Sequence, residues 1–500
     1  MVEEAAALSP ACVRRASAMR ERLLIFGIAL VLRATAGALF FGSVDLVNSA
    51  LNSIALSAGK TVALPYFPTI NALIWLGGVL AAYTPLPLPL CLKLVPILFD
   101  SLMAVLIFDL VAPTAPRFAN RAGLLYALNP IALLINSFHG QWDSIALFFL
   151  LLAFAVREVG EKRGASEFLF GAIFSCSLLI KPIALPFVLL LPRRKGEAAK
   201  LEWAAAAGAA SVLLAALSVY AACRYSLIDL LIGITSYSAK GIQVFGLPFA
   251  PGLARLSIQG DRLAWLIPAM LALAVLYHRR KLAAIDAMLL FYLCTLATTG
   301  LSPQYLLWPV PLLLVSRRLG LAAIYTGVAT LFLLFYYMNP WSSYFAFENL
   351  ATFAPLRGLA WLLPPAFMAG QSLLPWVHAL GNVVLPACAA ILVCLVFRSR
   401  TESDTEGAWP IRKTAWYTSP VLIVGVAALA LKVITAEQYV RTRLIEIWNA
   451  MPDYYALHIQ WANGNRYFVG DFGSFSPFNL ALLLAVLAAI WCTAAAANDR

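Results

Sequence analysis

The chain alternates long apolar runs with short polar segments. A helix that crosses a membrane needs roughly 20 apolar residues. Runs near that length lie at 23–42, 91–111, 121–138, 142–157, 167–180, 183–192, 201–222, 263–278, 282–299, 303–316, 319–338, 376–397, 415–433 and 477–496. This pattern predicts an all-α, polytopic helical membrane protein with about 12–14 transmembrane helices. The runs 167–180 and 183–192 are split by Lys181-Pro182 and read as a hairpin that need not cross fully. Tyr66–Tyr83 is apolar as well, and whether it crosses sets the side of every later loop.

Charge decides that question. If Tyr66–Tyr83 stays in the interface as a re-entrant piece, 22 of the 36 basic residues fall in short loops on one side. They include Arg14, Arg15, Arg20 and Arg22, then Arg193, Arg194, Lys195 and Lys200, then Arg317 and Arg318. If it crosses, every basic cluster after the first moves to the other side, against the bias of basic loops to the cytoplasm. The interfacial reading is therefore adopted. It leaves 43–90, 139–141, 223–262, 339–375 and 434–476 outside. The expected organisation is a cytoplasmic N-terminus at 1–22, a transmembrane core at 23–338 and a C-terminal transmembrane region with outer loops at 339–500. The basic flank of the first run, without a cleavage site, reads as a signal anchor.

Composition agrees. Hydrophobic residues make up 62% of the 500 and charged residues 12%, where a soluble protein carries about 25%. The net charge of +12 reads as cytoplasmic loop charge, not as a nucleic-acid surface. The eight cysteines lack CxxC spacing and read as small buried residues. No Gly-rich phosphate loop supports ATP-driven transport, and no paired acids suggest a metal; no cofactor is expected.

Polar residues at the outer ends of the runs are the candidates for chemistry. Asp45 follows the first run. It is either an interfacial acid ending a helix or a general base whose pKa the low-dielectric margin raises. The turn His139-Gly140-Gln141-Trp142-Asp143 holds costly polar groups between two apolar runs. His139 and Gln141 can donate to phosphate or sugar oxygens, and Trp142 offers a face for a sugar ring. Asp143 suits either a helix cap or catalysis. Lys181 either snorkels or neutralises a lipid-linked phosphate. Gln304 and Tyr305, after Ser302-Pro303, face the same compartment as secondary contacts.

In order along the chain, Gly42-Ser43-Val44-Asp45, Leu64-Pro65-Tyr66-Phe67-Pro68, Lys93-Leu94-Val95-Pro96 with Asp100, Leu128-Asn129-Pro130, His139–Asp143, Lys181-Pro182 and Ser302-Pro303-Gln304-Tyr305-Leu306 resemble the GT-C superfamily of membrane glycosyltransferases. The likeness covers roughly residues 20–320. It is strongest to bacterial mannosyltransferases related to the second GPI mannosyltransferase, and more distant to the lipid-phosphate-glucose-dependent glucosyltransferases of N-glycan assembly. Phe67 departs from the family's Tyr-Pro-Pro segment, and the single acid after the first run leaves metal dependence open.

The resemblance implies a polyprenyl-phosphate sugar donor, a lipid or glycan acceptor presented outside the cytoplasm, and a single inverting displacement. Asp45 would be the base, Tyr66 would help shape the acceptor cleft, and Lys181, His139 and Gln141 would stabilise the leaving phosphate. Membrane lipids are the other expected partners, and a bacterial inner membrane, with the site facing the periplasm or exterior, is the expected location. A transporter or flippase of lipid-linked sugars, or a noncatalytic subunit of a mannosyltransferase complex, are the competing expectations.

Overall fold

A computed structural model describes residues 10–39, 45–46, 49–50, 52–53, 69–159, 164–190, 197–222, 270–277, 279, 282–298, 302–338 and 376–398. Every regular element among them is helical. The helices are α1 (Pro10–Leu39), α2 (Thr69–Tyr83), α3 (Leu88–Val111), α4 (Pro116–Ala127), and α5 (Pro130–Ala132), which continues into a wide π-turn at Leu133–Phe138. Next come α6 (Asp143–Val159), α7 (Gly164–Ile180), α8 (Glu197–Ala222), α9 (Ala284–Thr298), α10 (Pro309–Val315), α11 (Leu319–Met338) and α12 (Leu385–Arg398). Tighter 3-10 stretches run over Pro182–Leu190 and Pro303–Leu307. Proline opens α3, α4, α5 and α10, where its missing N–H has no helical partner to lose. Four segments, Leu88–Val111, Pro116–Phe138, Leu319–Tyr337 and Trp376–Phe397, are long and apolar enough to cross a membrane. The fold is an all-α polytopic helical one.

Contacts between helix ends sort the bundle into two faces. At one, Arg22 meets Asp109 near the end of α3 (2.7 Å), and Arg157 near the end of α6 meets Glu167 in the first turn of α7 (3.2 Å). Arg318, between α10 and α11, meets Asp286 at the start of α9 (2.9 Å) and donates to the Val396 carbonyl of α12 (3.2 Å). This is the basic end. The opposite ends of the same helices carry Asp45, His139, Gln141, Asp143, Lys181, Trp308 and Tyr337, which form the site end.

The structure turns at Lys181-Pro182 as a hairpin whose second arm is the 3-10 stretch Pro182–Leu190. The Thr69 hydroxyl donates to the Leu179 carbonyl (2.8 Å) and lies 2.5 Å from the Tyr220 hydroxyl. The last turns of α7 and α8 thus share the site end, so the two helices run in the same direction. Pro182–Leu190 must therefore lead the chain back toward the basic end before α8 begins. A 3-10 helix rises about 2 Å per residue, which lets so short a segment cover most of the return. Where α7 and α8 cross, a side chain on Gly171 would meet the Ala205 carbonyl at 1.8 Å, and one on Gly208 the Phe168 carbonyl at 1.9 Å. Glycine at both positions lets the backbones touch.

The α2 helix packs at the site end. Gly77 sits against the Cys91–Leu92 backbone, and Ile70, Ile74, Val79, Ala81 and Ala82 join Leu46, Leu88, Leu92, Trp142, Ile145 and Ile180 in a small apolar core. That is the placement expected of a segment that stays at one face.

The span Pro116–Phe138 is broken in its middle at Leu128-Asn129-Pro130. Proline cannot continue α4, so carbonyls of its last turn and the first amides of α5 need other partners. The Asn129 side chain accepts from the Ile131 and Ala132 amides (3.0 and 3.2 Å). Arg33 of α1, fully buried, donates to the Ala127 carbonyl (2.7 Å) and the Tyr126 carbonyl (3.1 Å). The Arg33 guanidinium also pairs with Asp100 of α3, whose second oxygen accepts from the Tyr126 hydroxyl (2.5 Å). An uncompensated charge or carbonyl in this environment costs several kcal/mol. Here the Tyr126 and Ala127 carbonyls, the Ile131 and Ala132 amides and both charges have partners.

Candidate active site

The site grows from turns at the site end. After the π-turn, the His139 amide still bonds back to the Leu134 carbonyl (2.8 Å) and the Gln141 amide to the Ile135 carbonyl (3.1 Å). Between them Gly140 takes φ +78°, a region that costs a side-chain-bearing residue energy. A β-carbon there would also lie 2.9 Å from Leu46. This turn aims His139 and Gln141 at Asp45.

Asp45 receives both on one oxygen. His139 Nε2 lies 3.2 Å from Oδ2, and Gln141 Nε2 donates to Oδ2 at 2.5 Å. The other face of the imidazole, Nδ1, lies 2.5 Å from the Tyr337 hydroxyl of α11. The Gln141 carbonyl oxygen in turn accepts from Lys181 Nζ (3.3 Å). Lys181 pairs with Asp143 Oδ2 at 2.5 Å, and Asp143 Oδ1 accepts from the Trp308 indole N–H at 2.8 Å. The result is a continuous polar chain from Tyr337 through His139, Asp45, Gln141, Lys181 and Asp143 to Trp308. The Asp45 side chain is 38% exposed, while those of His139 and Lys181 are 7% and 6%.

Burial pushes the Asp45 carboxyl up. The hydrogen bond and charge of His139, the charge of Lys181 and the Gln141 amide together outweigh it, and the net direction is below the ordinary carboxylate value. This reverses the expected rise: the acid is in a low-dielectric margin, but donors converge on it there. It is a ready, weak base, ionised at neutral pH.

Other candidates land in varied places. Trp142 is 5% exposed and packs in the small apolar core beside Ile70, Ile74 and Leu88, so it is a packing residue and not an open platform for a sugar. Asp143 is fully buried and acts as the anion for Lys181. Lys181 does not snorkel; it is buried and its charge is already matched. Gln141, expected to contact substrate, spends its amide on Asp45 and Lys181. Gln304 accepts from the Ser302 hydroxyl (2.5 Å), and the Tyr305 ring lies 4.3 Å from that of Trp308. Tyr305 therefore adjoins the polar chain through Trp308. Tyr66 lies outside the described residues.

Tyr337 and Trp308 were not singled out from sequence. Tyr337 sits at the end of the run 319–338, where an aromatic residue reads as a membrane-interface anchor, and Trp308 lies within the apolar run 303–316. Among the described residues no group of three or more His, Cys, Asp or Glu side chains could hold a metal ion. Comparison with protein-family models, curated proteins and solved structures finds no match to this chain.

Proposed function

We propose that the protein is a GT-C-type glycosyltransferase that moves a hexose, mannose being favoured, from a polyprenyl-phosphate sugar to a hydroxyl of a lipid or glycan acceptor. The observation that carries this reading is Asp45. One of its oxygens is held by two donors, its other oxygen has no partner among the described residues, and the side chain is open to the site end. The motifs that supply Asp45, His139, Gln141 and Lys181 support the same reading by their resemblance to the GT-C family.

In the reaction the acceptor O–H breaks and its proton goes to Asp45. The acceptor oxygen bonds the anomeric carbon from the face opposite the phosphate, so the configuration inverts. The bond from that carbon to the phosphate oxygen breaks with its electron pair, and polyprenyl phosphate leaves. A general base of this kind contributes about 10²–10⁴-fold. Because Lys181 and Asp143 cancel one another, the net charge they offer a phosphate is small; Lys181 serves chiefly to orient Gln141. In this reading the site end faces the periplasm or exterior of a bacterial inner membrane, and the basic end faces the cytoplasm.

The transporter reading draws on the helix broken inside the apolar body, since transporters bind substrates at such breaks. Here Arg33 and Asn129 fill the break themselves, which favours the enzyme. The test is the purified chain in proteoliposomes with radiolabelled polyprenyl-phosphate mannose and an extract of lipid acceptors. Transfer that Asp45→Asn abolishes, with folding intact, supports the enzyme. No transfer by the wild type, or normal transfer by the variant, sinks it; flipping of the labelled lipid without transfer points to the transporter.

A further inference from the structure

The carboxylate of Asp45 can only accept hydrogen bonds, so the His139 nitrogen facing it must carry a proton. For a neutral imidazole that leaves Nδ1 bare, and the group that faces Nδ1 is the Tyr337 hydroxyl at 2.5 Å. The phenol must then donate to Nδ1, which selects the tautomer with Nε2–H. The ring is also wedged sterically: the Tyr337 ring stands edge-on to His139 with centroids 5.7 Å apart, and edge-on to Phe138 at 4.8 Å. His139 therefore has one orientation, with the Nε2 proton required by Asp45 and the ring held at Nδ1 by Tyr337. On the opposite side of Asp45, the Gln141 amide is oriented by its charged neighbours, N–H toward the carboxylate and C=O toward Lys181. Both arms end on Oδ2.

Resting on the reading of Asp45 as the base, we infer that Tyr337 is a positioning residue that acts through His139, fixing Asp45 by Oδ2 so that Oδ1 is the oxygen that receives the acceptor proton. The groups that bear on the charge of Asp45 are His139 and Gln141 beside it, Lys181 at the end of α7 with its partner Asp143 on α6, and Tyr337 on α11; Tyr336 bears on Tyr337, and the side chain of Lys93 of α3 lies 3.6 Å from where a Gly140 β-carbon would sit. Tyr337→Phe leaves all of these in place except one hydroxyl. Its loss leaves Nδ1 without the hydroxyl that holds the ring, weakens donation to Oδ2 and makes Asp45 easier to protonate.

The test reads protonation of Asp45 without needing turnover. The full chain in nanodiscs is treated with a hydrophobic carbodiimide, which attacks protonated carboxyls, and adducts on Asp45 are quantified by mass spectrometry from pH 4 to 7. Tyr337→Phe is expected to raise labelling about three- to tenfold at a given pH, the effect of a half- to one-unit rise in pKa. His139→Asn is expected to raise it further, and Tyr336→Phe to leave it at the wild-type level. Wild-type labelling in Tyr337→Phe overturns the assignment, as does absence of labelling at Asp45 in every variant, because Oδ1 would then be inaccessible. In the transfer assay Tyr337→Phe should lower kcat with KM within about twofold. A wild-type chain that transfers no sugar refutes the enzyme reading, while the labelling series still judges the Tyr337–His139–Asp45 linkage.

Discussion

Replacing Arg33 by Met tests how the broken span is held. The substitution keeps an apolar side chain of similar length but removes the guanidinium from a fully buried site. Asp100 keeps the Tyr126 hydroxyl but loses its countercharge, and breaking a buried pair from one side costs about 3–5 kcal/mol. The Tyr126 carbonyl retains the Asn129 amide (3.0 Å). The Ala127 carbonyl loses its one partner among the described residues, for about 1–3 kcal/mol more. The total of about 4–8 kcal/mol is comparable to the stability of a typical domain. Fluorescence-detected size exclusion of heated, detergent-solubilised protein should therefore show little folded Arg33→Met at temperatures where the wild type persists. Adding Asp100→Asn removes the stranded charge and should recover about half the loss or more, so the two changes are non-additive. Equal heat resistance of Arg33→Met and wild type would refute the account, as would simple additivity in the double variant.

Other outcomes follow from the same contacts. Because the Asp45 pKa lies below its ordinary value of 3.8, the stability that its charged form adds is present above that value and lost as pH falls through the lowered one. Acid-side loss of transfer due to Asp45 should accordingly set in only below about pH 4, as a rate–pH profile would show. Gly171→Leu should separate α7 from α8 and cost several kcal/mol, read as loss of the monodisperse peak, while Gly27→Leu, with open space around it, should be tolerated. A cysteine at Thr298, exposed at the site end of α9, should react with an impermeant thiol reagent added outside intact cells, and one at Ser316 should not. The reverse pattern would invert the assignment of faces.

The helices among the described residues were legible because long apolar runs are a one-dimensional signal, while the runs expected at 415–433 and 477–496 lie outside those residues. The turn at His139–Asp143 was legible as well, because polar residues are conspicuous between apolar runs. What sequence could not supply was the side-chain direction of each polar residue. Trp142 and Gln141 flank the same bond, yet one enters the apolar core and the other the polar chain, a choice made by the left-handed Gly140 and the pleat of the turn. Arg33 carries no signal in the first run, because its partners Asp100 and Ala127 are 67 and 94 residues away. Tyr337 was hidden for the same reason: α11 reaches His139 across nearly 200 positions of chain, and only the packed bundle brings them together.

The ion pairs at the basic end bear on how the protein is made. In the proposed orientation Arg22, Arg157 and Arg318 each belong to the charge asymmetry that places the basic end in the cytoplasm, yet in the finished fold each is matched by Asp109, Glu167 or Asp286 on an adjacent helix. Their positive charge is therefore at its most effective during insertion, before the acidic partners have docked. Once the helices meet, the same residues change task from choosing a side to latching neighbours together. Replacing an arginine here by lysine would keep the insertion signal but weaken the latch, which separates biogenesis from stability in a single position.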